Sequence, residues 1–263
     1  MKTKPTQHAV RTLNGSGIQP DILVARSNEP LDEKRKEKLS MFCNVPPSRV
    51  ISAPDVESIY DIPANFEKEH LSDILCDILF LSCKNHRTQS AEQWDMFTNR
   101  IHSATSDLNI AVVGKYFDTG NYVLADAYIS VIEAARHAIY GLNKRPVLTW
   151  INAVDFEKNP EKVKELSKFD GVIVPGGFGE RGWEGKVLTA RYCRMRGIPY
   201  FALCLGMQVM IVEFARNVLG LEKAHSTEVD PNTPDPVISM LAEQKKIDVK
   251  GGTMRLGAYP CEI

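Results

Sequence analysis

The rhythm of apolar and polar positions changes twice along this chain. Up to about residue 85 the pattern is mixed. "HAVRTLNGSG" predicts a short helix closed by glycines, "DILVA" (Asp21–Ala25) a buried strand, and "LDEKRKEKLSMFC" a charged amphipathic helix. "RVIS" predicts a second short strand, and "PANFEKEHLSDILCDIL" one further helix. A polar stretch follows, "SCKNHRTQSAEQWDMFTNRIHSATSD", with one helix around Trp94. At Asp107 the pattern becomes regular. "LNIAVVGKY" (Leu108–Tyr116) predicts a strand entering a glycine turn, and "ADAYISVIEAARHAIYG" a helix ending at Gly141. "RPVLTWI" predicts a strand and "NPEKVKELSKF" a short helix with Pro160 near its start. "DGVIVPGGFG" predicts a strand entering a glycine loop, and "GKVLTARYCRMRG" the helix after it. "IPYFAL" predicts a strand running into Cys204, and "LGMQVMIVEFARNVLG" the next helix. Beyond Gly220 the pattern is irregular. "PNTPDP" reads as an extended turn and "KGGTMRLGAYPCEI" as strand and loop.

Strands alternating with helices over short links imply a mostly parallel sheet covered on both faces. The expected fold class is therefore α/β: a doubly wound sheet from residue 108 to 263, preceded by a smaller α/β unit over 1–85 and a linker over 86–107. In such sheets, ligands sit at the carboxyl ends of the strands. "VPGGFG" and "LCLGMQ" both fall there.

Composition narrows the partners. The chain has 263 residues, 43% hydrophobic and 25% charged, enough for one large or two modest globular domains. A net charge of −1 gives no argument for nucleic acid. No apolar run approaches the roughly 18 residues of a membrane span, and "MKTKPTQHAV" has no apolar core of a signal peptide. Neither nucleic acid nor membrane is expected as a partner. The six cysteines show no CxxC and no regular spacing. They read as reduced thiols of a cytoplasmic protein, most of them small core residues.

The candidate chemistry centres on Cys204. A cysteine at a strand-to-helix turn sits at a helix N-terminus, where backbone N–H groups stabilise a thiolate. The Leu205 N–H points the same way and can donate to an oxyanion. Gly206 lets the backbone approach closely. Ala202, two positions before the cysteine, is a tolerable match to the small residue such elbows carry. A buried cysteine in a parallel strand fits the same decapeptide. "VPGGFG" (Val174–Gly179) favours the nucleophile, because a glycine peptide there can turn its N–H into the same pocket. It is not a P-loop, since no Lys-Ser/Thr follows.

"VPGGFGERGWEGK", "IPYFALCLGMQ", "HSTE" and "GGTMRLG" together resemble the class I glutamine amidotransferase domain, and more narrowly the glutaminase half of the CTP synthase family. "MKTKPTQHAV", "GIQPDILVARS", "KLSMFCNVP" and "DVESIYDIP" are similar to the end of the synthase (amidoligase) domain of the same family. The resemblance runs over essentially the whole chain, in order. It implies a sheet of the class I glutaminase type preceded by an incomplete synthase domain. It also implies the activity of a ligase of pyrimidine biosynthesis: ATP-dependent amination of UTP to CTP, with glutamine hydrolysed at a cysteine and its ammonia passed internally to the synthase site. Carried over by residue, Cys204 is the nucleophile, and Leu205, Gly206, Met207 and Gln208 line the glutamine pocket. Gly177 is the oxyanion and glutamine contact, and Glu228 binds the amino-acid end of glutamine. Lys2, Thr3, Lys4, Pro5, Thr6 and Gln7, with Lys38, bind the triphosphate of UTP or inhibitory CTP. Pro54, Asp55 and Val56 touch the ATP adenine.

The resemblance further implies ATP and Mg²⁺ as requirements of the full-length enzyme, GTP as an activator, the substrates UTP, ATP and L-glutamine, and a cytoplasmic homotetramer. On the residues alone, the cations and neutral donors of Lys2–Gln7, just before a helix start, suit a triphosphate. An ordinary basic tail fits them too. Lys38 and Glu228 alone read as solvated surface residues.

The chain departs from the family at both ends. No GxxxxGK[ST] occurs in its 263 residues. The resemblance implies that the P-loop and the Mg²⁺ ligands precede "MKTKPTQ", and that an arginine-rich segment and a His-x-Glu pair follow Ile263. Of His8, His70, His86, His102, His137 and His225, only His225 follows Cys204, where the family usually has asparagine. "GKYFDTGNYVLADAY" is also longer than the usual link. Two readings stand: a piece of CTP synthase, inactive and poorly soluble alone, or a non-catalytic truncated module that binds nucleotide or partner subunits. An α/β cysteine hydrolase has no use for "KTKPTQ".

Overall fold

The structure, a computed structural model, describes residues 2–82, 88–115 and 128–240. The chain divides into two compact units, Met1–His102 and Ser103–Ile263. The helix expected to begin within 125–127, the linker around 83–87 and the "GGTMRLG" segment fall wholly or partly outside the described residues.

In the first unit, α1 (Lys4–Gly15) and α2 (Glu33–Cys43) pack against two parallel strands, β1 (Leu23–Ser27) and β2 (Val50–Pro54). Val10, Leu23, Ala25, Leu39, Cys43 and Val50 form its core. α2 starts at Asp32, whose carboxylate accepts the Arg35 N–H at 2.8 Å, an ordinary N-cap. β1 lies two residues later than the apolar run suggests and is half-buried, with Leu23 and Ala25 inward and Val24 outward. The single helix expected over "PANFEKEHLSDILCDIL" is two, α3 (Ile62–Lys68) and α4 (Leu71–Ile78). His70 breaks it in the left-handed conformation, φ 55°. α5 (Gln89–Ser103) docks on the first unit: Trp94 Nε1 donates to Tyr60 O at 2.9 Å, and the Tyr60 ring meets Phe97 edge-on.

The second unit is the doubly wound sheet. Its strands are β3 (Ser106–Gly114), β4 (Lys144–Asn152), β5 (Gly171–Val174) and β6 (Tyr200–Ala202), all parallel, in the order β4-β3-β5-β6. Alternation along β3 sorts the two faces. Val112 joins Tyr128 and Ile132 at α6 (Ile129–Gly141). Ala111 and Val113 face the other way, toward Phe156, Leu166 and Cys193. Those come from α7 (Ala153–Lys158), the 3₁₀ segment Pro160–Lys168 and α8 (Trp183–Arg196). The chain steps from β3 to β4 over one face and back across to β5 over the other, as right-handed crossovers require. The strand order therefore reverses between β3 and β5, and that is where a crevice opens at the carboxyl ends. α9 (Leu205–Asn217) follows β6 and packs on α8 through Leu205, Val209 and Val212 against Trp183 and Val187. The short parallel pair β7 (Ala224–Ser226) and β8 (Asp235–Ile238) escaped the sequence reading, as did α7, which Asn152 caps by accepting the Val154 N–H.

The cysteine expectation needs one correction. Cys43, Cys193 and Cys204 are free, but Cys76 is disulfide-bonded. Spacing along the chain reports motif geometry, whereas a disulfide needs only two sulfurs brought together in space.

Close packing of α8 on α7 rests on Gly185, where an added Cβ would lie 1.8 Å from the Ala153 carbonyl oxygen. Gly185→Ala is expected to cost about 1–3 kcal/mol and lower the melting temperature. Gly15→Ala, whose added carbon meets nothing within 4 Å, is expected to raise it slightly. Paired thermal melts check both.

Candidate active site

The site is built where β5 and β6 end. Leu203 N–H still donates to Val174 O at 3.0 Å, continuing the ladder one residue past β6. The chain then turns into α9 within a single residue. Gly206 makes that possible: a Cβ there would sit 2.1 Å from Val174 O, so only glycine lets the first turn rest on the end of β5. Cys204 absorbs the turn. It stands at φ 51°, ψ −112° as the N-cap residue of α9, a conformation that belongs to glycine in a tight type II′ turn. Holding a cysteine there stores about 1–3 kcal/mol of strain. In return, its side chain is aimed outward from the strand end, and the residue is exposed.

The glycine loop lies beside it. A Cβ at Gly176 would come within 3.3 Å of Cys204 Cβ and 3.7 Å of its Sγ. Gly176 thus lies beside the thiol with no side chain between them. Gly177, the expected donor, is the next residue and is half-buried. Farther along the loop, Gly179 N–H donates to Glu228 Oε1 at 3.2 Å, which ties "HSTE" to "VPGGFG". Tyr128 Oη reaches Gly176 O at 3.5 Å. On α9, Gly206 N–H donates to Leu203 O and Gln208 N–H to Cys204 O; neither bond uses the Leu205 N–H. The Leu205 side chain points into the α8–α9 core, so this residue offers the site its backbone alone. Met207 is exposed and Gln208 half-buried.

Two buried lysines surround this centre, and neither drew notice in the sequence. Lys115 leaves the end of β3, is 5% exposed, and donates from Nζ to Gly179 O at 3.2 Å. Burial pushes its pKa down, opposed mainly by the Glu228 carboxylate. Lys186 lies in the first turn of α8, fully buried, with no hydrogen-bond partner for Nζ among the described residues. Its pKa falls to about 8, through burial first and then the Lys115 cation, with Cys204 opposing. In "EGK" that lysine reads as a helix-surface residue, so only its burial reveals it. Gly176 and Gly179 were within reach of the sequence, since they sit in the same glycine loop as Gly177.

His225 is engaged elsewhere. Its ring stacks on Trp183 with centroids 5.1 Å apart, its Nδ1 accepts the Ser226 N–H at 2.9 Å, and Nε2 lies 4.0 Å from Glu184. Burial and the Arg216 cation lower its pKa. Arg194 and the buried Glu213 pair bidentately at 2.8–3.3 Å and bind α8 to α9.

The nucleotide candidates lie in the first unit. α1 begins at Lys4, so Lys4, Pro5, Thr6 and Gln7 form its first turn instead of preceding the helix. Thr3 is its N-cap residue. Thr3 and Gln7 are buried and bonded to each other, Gln7 Nε2 donating to Thr3 Oγ1 at 3.2 Å. Lys2, Lys4 and Pro5 are exposed, and so is Lys38 on α2. Pro54 ends β2, Asp55 N–H donates to Ser27 O, and the Asp55 carboxylate pairs with Arg26 at 2.8 Å on the surface, with Val56 half-buried beside it. Among the described residues no three His, Cys, Asp or Glu stand together as metal ligands, and no helix is long and apolar enough to cross a membrane.

Two predictions follow from this geometry. Burial pushes the Cys193 thiol up to about 12, so it carries almost no thiolate at pH 8. Iodoacetamide should therefore label Cys204 and leave Cys193 and the buried Cys43 unmodified until denaturant is added, as peptide mass mapping will report. Cys204→Gly should raise stability by about 1 kcal/mol, because glycine occupies this conformation without strain; a lower melting temperature would contradict it.

The profile described as "CTP synthase N-terminus" matches residues 1–81, and "Glutamine amidotransferase class-I" matches residues 123–263. A CTP synthase of Bacillus licheniformis is 46% identical over 264 residues, covering 100% of this chain and 48% of that protein. One from Synechococcus sp. (strain JA-3-3Ab) is 49% identical, covering 100% and 47%. One from Thermococcus kodakarensis is 48% identical, also covering 100% and 47%. The chain thus spans about half the length of these relatives. The solved structure of a Trypanosoma brucei CTPS glutaminase domain with bound acivicin is 36% identical and covers 51% of this chain and 50% of that one. Its TM-score of 0.47 is too low to carry structural detail. On the two profiles and these identities, the chain belongs to the CTP synthase family, carrying class-I glutamine amidotransferase sequence behind the end of a synthase domain.

Proposed function

We propose that the protein containing this chain makes CTP from UTP, ATP and L-glutamine, and that the second unit is where glutamine is hydrolysed. The observation that carries this reading is the strained turn at Cys204, held against the glycine loop at Gly176. A thiol with its backbone donors fixed in advance fits attack on an amide carbon, because the donors await the oxyanion and need not reorganise. In this reading the Cys204 sulfur bonds to the side-chain amide carbon of glutamine. Leu205 N–H and a peptide N–H of the Gly176–Gly177 pair hold the oxyanion. The C–N bond breaks, ammonia leaves, and water cleaves the γ-glutamyl thioester to release glutamate and restore the thiol. Glu228 receives the amino-acid end of glutamine, and its bond to Gly179 N–H sets its position.

The finer assignments belong to the same proposal. Residues 1–85 are the end of the synthase domain, 86–107 a linker, and 108–263 the amidotransferase domain. Lys2–Gln7 and Lys38 take the UTP or CTP triphosphate, and Pro54–Val56 the adenine of ATP. The buried Thr3–Gln7 pair favours that arrangement by fixing the first turn of α1 while Lys2 and Lys4 stay free to reach an anion. ATP, Mg²⁺, GTP activation, tetramer formation and a cytoplasmic setting belong to the whole enzyme.

An electrophilic glutamine analogue tests the glutaminase assignment. The chain should form one covalent adduct, at Cys204, absent from Cys204→Ala. Glu228→Ala should slow that labelling at least tenfold while leaving iodoacetamide labelling of the same thiol unchanged. An adduct elsewhere, or equal loss with both reagents, would overturn the assignment.

A further inference from the structure

Ser226 is the hub of the turn that carries Glu228. It is 2% exposed. Its Oγ accepts the Glu228 N–H at 3.3 Å, and its carbonyl accepts the N–H groups of Val229 at 3.1 Å and Asp230 at 2.9 Å. The Ser226 N–H itself falls where the β7–β8 ladder slips: His225 stands opposite Pro236, but Ser226 stands opposite Ile238. A backbone donor at such a slip can leave the ladder, and when buried it needs another partner. The preceding side chain supplies one, because His225 Nδ1 accepts that N–H at 2.9 Å. The ring is held for the task by Trp183, on which it stacks with centroids 5.1 Å apart. From Glu228 the line of bonds continues into the glycine loop, where Gly179 N–H donates to Oε1 at 3.2 Å. One imidazole thus stands at the base of a short chain of bonds that ends on the carboxylate assigned to glutamine.

We propose that His225 is a pH-sensitive positioning residue for Glu228: the neutral ring holds the Ser226 turn that presents this carboxylate to the amino-acid end of glutamine, and protonation at Nδ1 releases it. The inference rests on the glutaminase reading above and adds to it a group that regulates substrate binding.

The bond fixes where the proton must go. With Nδ1 accepting, the neutral ring carries its hydrogen on Nε2. A second proton can enter only at Nδ1, where it would face the Ser226 N–H, donor against donor. The charges around the ring set when this happens. α8 contributes Glu184, whose Oε1 lies 4.0 Å from Nε2, and α9 contributes Arg216. Those two are already joined, with Arg216 Nη1 donating to both Glu184 oxygens at 2.9 and 3.0 Å. Arg216 Nε also holds β7, through Ala224 O at 2.7 Å. Glu180 ahead of α8 and Asp230 beyond β7 act on the ring as further carboxylates. β8 sets the uncharged Pro236 opposite it. Burial and the Arg216 cation outweigh the carboxylates and hold the His225 pKa below its ordinary 6.5. The ring is therefore neutral and the turn held at neutral pH, and the hold is lost as pH falls below 6.5.

Two labelling rates at Cys204 test this on the 263-residue chain, one with the electrophilic glutamine analogue and one with iodoacetamide, from pH 7.5 to 5. Their ratio cancels the titration of the thiol itself. In the wild type the ratio should fall about threefold or more on acidification. His225→Asn offers Oδ1 to the same N–H but takes up no proton in this range, so its ratio should stay nearly level. His225→Phe keeps a ring against Trp183 without the acceptor, and should show the low ratio already at pH 7.5. A level wild-type ratio, or an equal fall in His225→Asn, overturns the proposal. Hydrogen exchange over Ser226–Asp230, corrected for the intrinsic effect of pH, needs neither variant nor glutamine chemistry. Protection there should drop in the wild type below pH 6.5, and unchanged protection overturns the proposal even if a variant fails to fold. Failure of the analogue to label wild-type Cys204 at pH 7.5 would sink the glutaminase reading instead, and the exchange profile then decides the role of His225 in the turn.

Discussion

The approach of α9 to the carbonyl oxygen of Val174 is the constraint on which the site depends. Position 206 has no room for a side chain: an added carbon would stand 2.1 Å from that oxygen. With the helix start fixed there, the chain has one residue in which to pass from strand to helix. That residue must adopt a backbone shape suited to glycine, and it is Cys204. The thiol is therefore presented by the packing of a helix on a strand end. The same close approach brings Gly176 against the thiol from the end of β5. Position, exposure and nearby backbone donors all follow from one steric fact.

What holds that arrangement is spread over two helices. α8 crosses close to α7 at Gly185, and its inner face meets α9 through Trp183, Val187, Leu205 and Val209. The Arg194–Glu213 pair closes the far end of this contact, with Glu213 fully buried and its partner half-exposed. Removing one member would strand a buried charge, so the pair acts as a register pin more than as a source of net stability. Helix ends and charge then coincide: the loop ahead of α8 carries Gly179, whose two backbone groups hold Glu228 and Lys115.

Much of the second unit was legible in the sequence, because its signals were strong and agreed with one another. Long apolar strands, glycine at loop positions and amphipathic helices pointed to a doubly wound sheet, and the motif at Cys204 marked the strand end that matters. The failures share a physical cause. His70 in a left-handed conformation splits one apolar helical pattern into α3 and α4, and nothing in a histidine announces that. α7 is one turn and a half long, below the length at which periodicity is visible. The start of α1 was set too late because lysine, proline and threonine look like loop, although proline is favoured in a first helical turn. Around the thiol, the contact of Gly176 with Cys204 was not singled out, since a run of glycines fixes a loop without fixing which peptide faces inward. Lys186 could not be read at all. Its significance lies in its burial, a tertiary property of a residue type whose default place is the surface.

The conformation of Cys204 also bears on how such a chain would change over generations. Strain of this kind exists only in the folded state, and the unfolded chain is free of it. Selection for folding alone would therefore erode the cysteine, while the glycine at 206 and its contact with Val174, which the fold itself requires, would persist. A descendant released from the chemistry should drift toward glycine at 204 and keep its sheet. A lineage that retains cysteine there has borne a continuing penalty in stability, and that retention is itself a record of use.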